Sequence, residues 1–223
     1  MRAAAAVLLA GLAATAGALA PAAAAAPGTP TAKAVEPAPT DASDPLVEAA
    51  PLVPGLIVSL VYATPQNLTG RALYPAGARC LLRRSVAGRL ALAALRLRAQ
   101  GLRLVAWDCT RPAAAQRALF AAYPHPGSVA DPQRGSLHQR GVAVDLGLAA
   151  LDGSPVALPT AFDAFGPAAH ADAALPDGPA RRNRDALRAA LHAAGFRANP
   201  REWWHFSRLF GWRWPQAPAG AEL

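Results

Sequence analysis

No cysteine stands near the N-terminus; the two in the chain, Cys80 and Cys109, come much later. A lipid anchor on an N-terminal cysteine is therefore not expected. No basic stripe interleaved with aromatic residues is present, so the net charge of +8, from 22 basic and 14 acidic residues, does not read as a nucleic-acid surface. Lysine is almost absent and arginine carries the positive charge, in a chain rich in alanine and proline. That is the mark of a GC-rich coding bias, and a positive face also suits an anionic cell envelope. There is no internal repeat. Between Ala3 and Ala20 there is no charge at all, and Arg2 precedes this stretch. Residues 1–26 read as a secretory signal peptide, cut between Ala20 and Ala26. The stretch is rich in alanine rather than leucine and barely long enough to span a bilayer, so no stable membrane anchor is expected. The expected location is the periplasm, the cell envelope or the medium. In an exported chain a disulfide between Cys80 and Cys109 is permitted, and two buried thiols are an equally open reading.

Large apolar residues are also missing from 27–46, a Pro-, Ala- and Thr-rich stretch that reads as a disordered linker. The folded domain is expected at 47–215, followed by a short tail at 216–223. Within it, Gly55–Ala63, Leu102–Asp108, Gly141–Leu148 and Phe196–Ser207 read as strands. Ser85–Gln100, with Ser85 as N-cap and Gly101 as stop, reads as a helix. So do Pro112–Tyr123, opened by proline, and Pro179–Ala194, stopped by Gly195. Strands and helices mix without a strict β-α-β rhythm. The expected fold is α+β: one domain with a central antiparallel or mixed sheet flanked by helices.

Two of the five histidines stand in unusual company. His138 precedes a strand that carries Asp145, and a turn at Gly141 can fold the imidazole back beside that carboxylate. His205 closes the run Glu202-Trp203-Trp204-His205. On a regular strand Glu202 and His205 would face opposite ways, so a bulge or a strand end is needed to aim both at one point. Two imidazoles and one carboxylate suit a catalytic zinc with a position left for water. Glu202 could then take the water proton. Arg111, after the strand Leu102–Asp108, is the candidate for stabilising an oxyanion. Taken singly, each piece also has an ordinary structural reading, and His125, His170 and His192 are assigned to that reading.

In order and spacing the pieces resemble the D-alanyl-D-alanine dipeptidases of the VanX type, from about Val61 to Phe206. The matching segments are VYATPQNLTGRALY from Val61, DCTRP from Asp108, the Ser-x-His-x-x-Gly-x-Ala-x-Asp pattern of Ser136–Asp145, and Phe162-Asp163. Asn183-Arg184, Gly195-Phe196 and Glu202-Trp203-Trp204-His205 follow in the same order. The resemblance implies one zinc ion on His138, Asp145 and His205, with Glu202 as general base and acid. It implies Arg111 at the oxyanion, and Tyr62, Ser136 and Asp163 holding a small dipeptide, with Asp163 near its ammonium group. The implied reaction is hydrolysis of D-Ala-D-Ala or a similar D,D-dipeptide in cell-wall turnover. A zinc D,D-carboxypeptidase or endopeptidase acting on peptidoglycan stem peptides is the alternative, and a silent wall-binding module the third reading. The sequence departs from the pattern twice. Thr110 replaces a tyrosine, and Ala164–His170 (AFGPAAH) lacks the acidic and basic residues expected after Phe-Asp.

Overall fold

Alternation along Ala143–Ala150 gives way to almost continuous burial, with seven of its eight residues enclosed. A strand covered on both faces reads as an unbroken apolar run, and here Asp145 is the one ionisable exception. The computed structural model describes residues 38–125 and 127–218. The expected signal peptide, the linker up to residue 37 and the last five residues of the tail lie outside them. In chain order the elements are β1 (Leu46–Glu48), β2 (Ile57–Val58), β3 (Leu81–Arg83), α1 (Arg84–Arg98) and β4 (Leu102–Asp108). There follow α2 (Ala113–Ala122), β5 (Ala143–Ala150), α3 (Pro179–Ala193), β6 (Phe196–Asn199) and β7 (Glu202–Arg208).

Five strands form one sheet in the order β2-β4-β5-β7-β6. β2 runs parallel to β4, and every other pairing is antiparallel. β1 and β3 make a separate two-stranded antiparallel ribbon. The fold is thus the expected α+β arrangement, a mixed sheet flanked by helices. α1 buries Val86, Ala87, Leu90, Ala93, Ala94 and Leu97, a helical stripe packed on β4 and α3. α3 presents Leu187, Ala190 and Leu191 to the core. Each fully buried leucine contributes on the order of 2 kcal/mol.

The structure departs from the sequence reading at several boundaries, each for a physical reason. Gly55–Ala63 is not one strand. Only Ile57 and Val58 pair, at the edge of the sheet, and Val61–Ala63 forms a 3-10 turn. Its carbonyl at Tyr62 accepts the N–H groups of Leu73 and Tyr74, which fixes the buried Tyr62 ring. Phe196–Ser207 is a hairpin, because Pro200 offers no N–H to a ladder and Arg201 completes the turn. Ser85 is not the cap of α1; the helix begins at Arg84. Asp44 does the capping instead, accepting the Ser85 N–H at 2.8 Å and its hydroxyl at 2.6 Å. Pro112 sits at the N-cap of α2 rather than inside it.

Asp44 also shows that the packed chain reaches back past the expected boundary at residue 47. It is buried and accepts the Trp214 indole N–H. The fully buried Arg83 donates to Asp41, to the Asp44 and Pro215 carbonyls, and to that of Arg140. On the tail side, the Ala217 N–H donates to the Gln139 carbonyl at 2.7 Å.

Gly147 in β5 lets the Trp107 ring lie flat against the strand; a Cβ there would stand 2.2 Å from that ring. Trp107 in turn packs on Phe162 and Trp203. Gly147→Ala is expected to destabilise the protein by about 2 kcal/mol, read as a lower urea midpoint with unchanged slope.

Candidate active site

Three neighbouring strands bring three ionisable residues into one row. Asp145 of β5 pairs directly with His205 of β7 and, on its other side, with Asp108 of β4. Directly paired residues of antiparallel strands project to the same face. The Asp108 pairing depends on a bulge that skips Trp107. Such an extra residue re-aims the side chains beyond it.

His138 reaches the row from a 3-10 turn, His138–Arg140, that ends in Gly141 at φ 69°. A Cβ at Gly141 would meet Leu46 at 2.4 Å and Thr110 at 3.0 Å, so glycine is required by both conformation and space. The His138 Nδ1 lies 2.8 Å from the Cys109 carbonyl. A carbonyl only accepts, so Nδ1 carries the proton and Nε2 presents its lone pair to the row. From there Nε2 is 3.0 Å from His205 Nδ1 and 3.4 Å from Asp145 Oδ1, and His205 Nδ1 is 2.9 Å from Asp145 Oδ1. A tetrahedral ion with ligands at about 2.0–2.1 Å holds its donors roughly 3.3 Å apart. The three atoms match that spacing, and a shared cation satisfies two facing ring nitrogens and a carboxylate together. Among the described residues this is the one such group. Burial opposes the Asp145 charge, but His138 and His205 outweigh it and hold the carboxyl well below the usual range.

Glu202 opens β7 where the β6–β7 register shifts between Ala198 and Asn199. That is the strand end the sequence reading required. Glu202 and His205 line the same cavity of about 330 Å³, with Glu202 Oε2 3.8 Å from His205 Nδ1. Asn199 Nδ2 donates to Oε2 at 2.8 Å, and Asn199 Oδ1 accepts the Arg201 N–H, which fixes the orientation of the amide. Burial, with a smaller push from Asp145 against the pull of His205, raises the Glu202 carboxyl to about 7.

Arg111 is held by its own scaffold. Nε and one Nη donate to Asp108 Oδ2 at 2.9 and 2.7 Å, and the other Nη donates to Gln116 at 2.9 Å. One hydrogen on each terminal nitrogen remains, and the Nη nearest the row lies 3.6 Å from Asp145. Burial weakens this cation, but Asp108, Tyr62, Tyr74 and Asp145 more than offset it and keep it charged. Tyr62 donates its hydroxyl to Asp163 at 2.9 Å and lies under the Arg111 guanidinium. Burial, reinforced by the Asp145 charge, pushes the Asp163 carboxyl up to about 7. Ser136 accepts the His138 N–H at 3.2 Å, leaving its own hydroxyl hydrogen to donate.

All eight residues singled out in the sequence therefore line one cavity. His125 packs at a tilt against Tyr123 instead, His192 is exposed on α3, and neither they nor His170 joins the donor group. Asp108 and Asn199 are the additions that only the structure makes. Asp108 is legible as the first residue of the DCTRP segment, whereas Asn199, before a proline, reads only as a turn residue. In the loop that lacks the expected charges, the Phe165 ring stacks on Tyr123 at 4.9 Å and joins the cavity wall.

Comparison with known proteins places these residues in a context. The family described as D-ala-D-ala dipeptidase matches residues 42–210. The chain is 38% identical over 161 residues to the D-alanyl-D-alanine dipeptidase of Escherichia coli (strain K12), covering 72% of this chain and 83% of that protein. It is 32% identical over 181 residues to the D-alanyl-D-alanine dipeptidase of Streptomyces coelicolor, covering 70% of this chain and 87% of that protein.

Proposed function

The chain belongs to the D-ala-D-ala dipeptidase family of peptidases, and we propose that it hydrolyses D-alanyl-D-alanine or a similar D,D-dipeptide to free amino acids outside the cytoplasm, with zinc on His138, Asp145 and His205. The observation that supports this most is one cavity holding three converging donors together with the Glu202 and Asp163 carboxyls, both raised to about 7. Zinc held by that N,N,O set would supply a Lewis acid and make water at the site more acidic.

The remaining chemistry falls to the side chains. Glu202 takes a proton as water oxygen attacks the carbonyl carbon, and passes it to the amine nitrogen as the C–N bond breaks. A base near 7 accepts and releases a proton at neutral pH with little penalty either way. Asn199 holds one Glu202 oxygen and so leaves the other to the water. Arg111, fixed by Asp108 and Gln116, donates to the carbonyl oxygen as charge develops there. Asp163 and Tyr62 bind the substrate ammonium, whose charge draws the Asp163 proton away. Ser136 donates its hydroxyl to the substrate.

Asp163 is what makes the reading a dipeptidase. A half-buried carboxyl facing the amino side accepts a cation and disfavours a neutral amide. Export is part of the proposal, since a disulfide persists in an oxidising compartment. Among the described residues no helix is long and apolar enough to cross a membrane.

Hydrolysis of D-Ala-D-Ala and of N-acetyl-D-Ala-D-Ala, with and without chelator, tests the reading. Cleavage of the free dipeptide is expected at least ~100-fold faster, abolished by chelator and restored by zinc. Equal cleavage of the blocked peptide would establish the carboxypeptidase reading instead.

A further inference from the structure

We propose that the Cys80–Cys109 disulfide is a positioning crosslink for His138, so that the site holds its metal at full affinity only while this pair is oxidised. The proposal rests on the metal reading above. The two sulfurs are bonded across 29 residues of chain, and both cysteines are fully enclosed in the core.

The imidazole of His138 is oriented by one acceptor, the main-chain carbonyl of Cys109 itself. The contact is reciprocated one step along, where the Arg111 N–H donates to the His138 carbonyl at 3.2 Å. The pose of the ligand is therefore the pose of the segment Cys109–Arg111. Asp108 Oδ2 is the other group near Nδ1, at 3.3 Å, but that oxygen is occupied by two Arg111 contacts and its partner oxygen by the Tyr74 hydroxyl. It is not a ready substitute for the carbonyl.

Cys109 follows the last residue of β4, and no strand pairing joins β4 to β3 among the described residues. What joins them here is the disulfide, together with Thr110, whose N–H and hydroxyl both donate to the Leu81 carbonyl. β3 also reaches the far side of the same turn, where the Arg83 N–H donates to the Gly141 carbonyl at 2.9 Å. The ribbon strand thus grips the His138 turn from both ends, and the sulfur bridge closes one of the two grips. Opening it leaves that end to the Thr110 hydrogen bonds and loosens the acceptor that sets the imidazole. Groups that orient a metal-bound histidine are worth 10–100-fold in metal affinity. The chain would then carry a weakly metallated site wherever thiols stay reduced.

The test compares zinc affinity, by competition with a chromophoric chelator, for the wild-type protein and Cys80→Ala/Cys109→Ala. At least a tenfold weaker zinc affinity is expected in the variant, together with an altered visible spectrum of the cobalt(II)-loaded protein. Leu191→Ala on α3, which lowers the melting temperature without touching the site, is expected to keep wild-type affinity. Wild-type protein reduced with a phosphine, which retains every side chain, is the second sample and should show the same loss. Unchanged affinity in either disulfide-free sample, or an equal loss in Leu191→Ala, overturns the proposal. Absence of zinc binding by the oxidised wild type would instead overturn the metal reading.

Discussion

Glutamine in place of Glu202 is expected to lower kcat for D-alanyl-D-alanine by on the order of 10³-fold while one zinc per chain stays bound. The carboxyl stands 3.8 Å from His205 Nδ1, and the three donors have the spacing of a complete ligand set without it. The amide keeps the volume of the carboxyl and can still accept from Asn199 through its oxygen. What it cannot do is take up a proton. The loss should therefore appear in kcat, with KM little changed, because the substrate contacts proposed for Asp163 and Ser136 are untouched. Steady-state kinetics and metal analysis on the same preparation check both halves. Wild-type turnover removes Glu202 from the chemistry, and loss of zinc along with activity would reassign it as a ligand.

Asparagine in place of Asp163 is expected to move activity and stability in opposite directions. For catalysis, loss of the ammonium anchor should cost on the order of 10² in kcat/KM. For stability, the sign follows from the direction of the shift. Burial raises the Asp163 carboxyl from 3.8 to about 7, so folding favours its neutral form. That contribution is fully present below pH ~4 and is lost as pH rises through about 7. At pH 8 the metal-free wild type carries a disfavoured anion, and the neutral amide removes it. The variant should gain about 2 kcal/mol there, since partial exposure keeps the effect below its full value. That corresponds to a melting temperature about 4–8 °C higher at pH 8, with no gain near pH 4. Asparagine also tolerates the left-handed backbone at this position, φ 58°, so no new strain offsets the gain. A variant no more stable at pH 8 than the wild type would show that the carboxyl is not disfavoured by its surroundings. Stability kept low for the sake of a charged binding group is a common bargain at active sites.

Much of this site is legible in the sequence because donor chemistry is local. His138, Gly141 and Asp145 lie within one short segment, and the turn that brings the histidine back is announced by the glycine. Glu202 and His205 are legible as types, not as geometry. Their convergence depends on the Pro200 break and the register shift at Asn199, and periodicity reports neither. Asp108 is legible only as part of the DCTRP segment, and its position in the site is hidden for a related reason. Its place beside Asp145 comes from a bulge at Trp107, a property of two strands rather than one. The pairing of Cys80 with Cys109 stays open in the sequence because spacing along a chain says nothing of where a helix returns. The cap on α1 is misplaced because the capping carboxylate, Asp44, comes from 41 residues before Ser85, in a stretch whose composition reads as linker. Local propensity names the residue nearest the helix start, and tertiary contact supplies a better acceptor from elsewhere.

The turn that carries His138 is also buttressed by residues 211–217. Gly211 packs against Leu137 and Val142, Arg140 lies over the Trp212 ring and donates to the Trp214 carbonyl, and Ala217 bonds to Gln139. From the other direction, Asp41 and Asp44 reach the same knot through Arg83 and Trp214. Partners 170 residues apart thus close one clasp over that turn, so loss of either half loosens the other and, through it, the pose of His138.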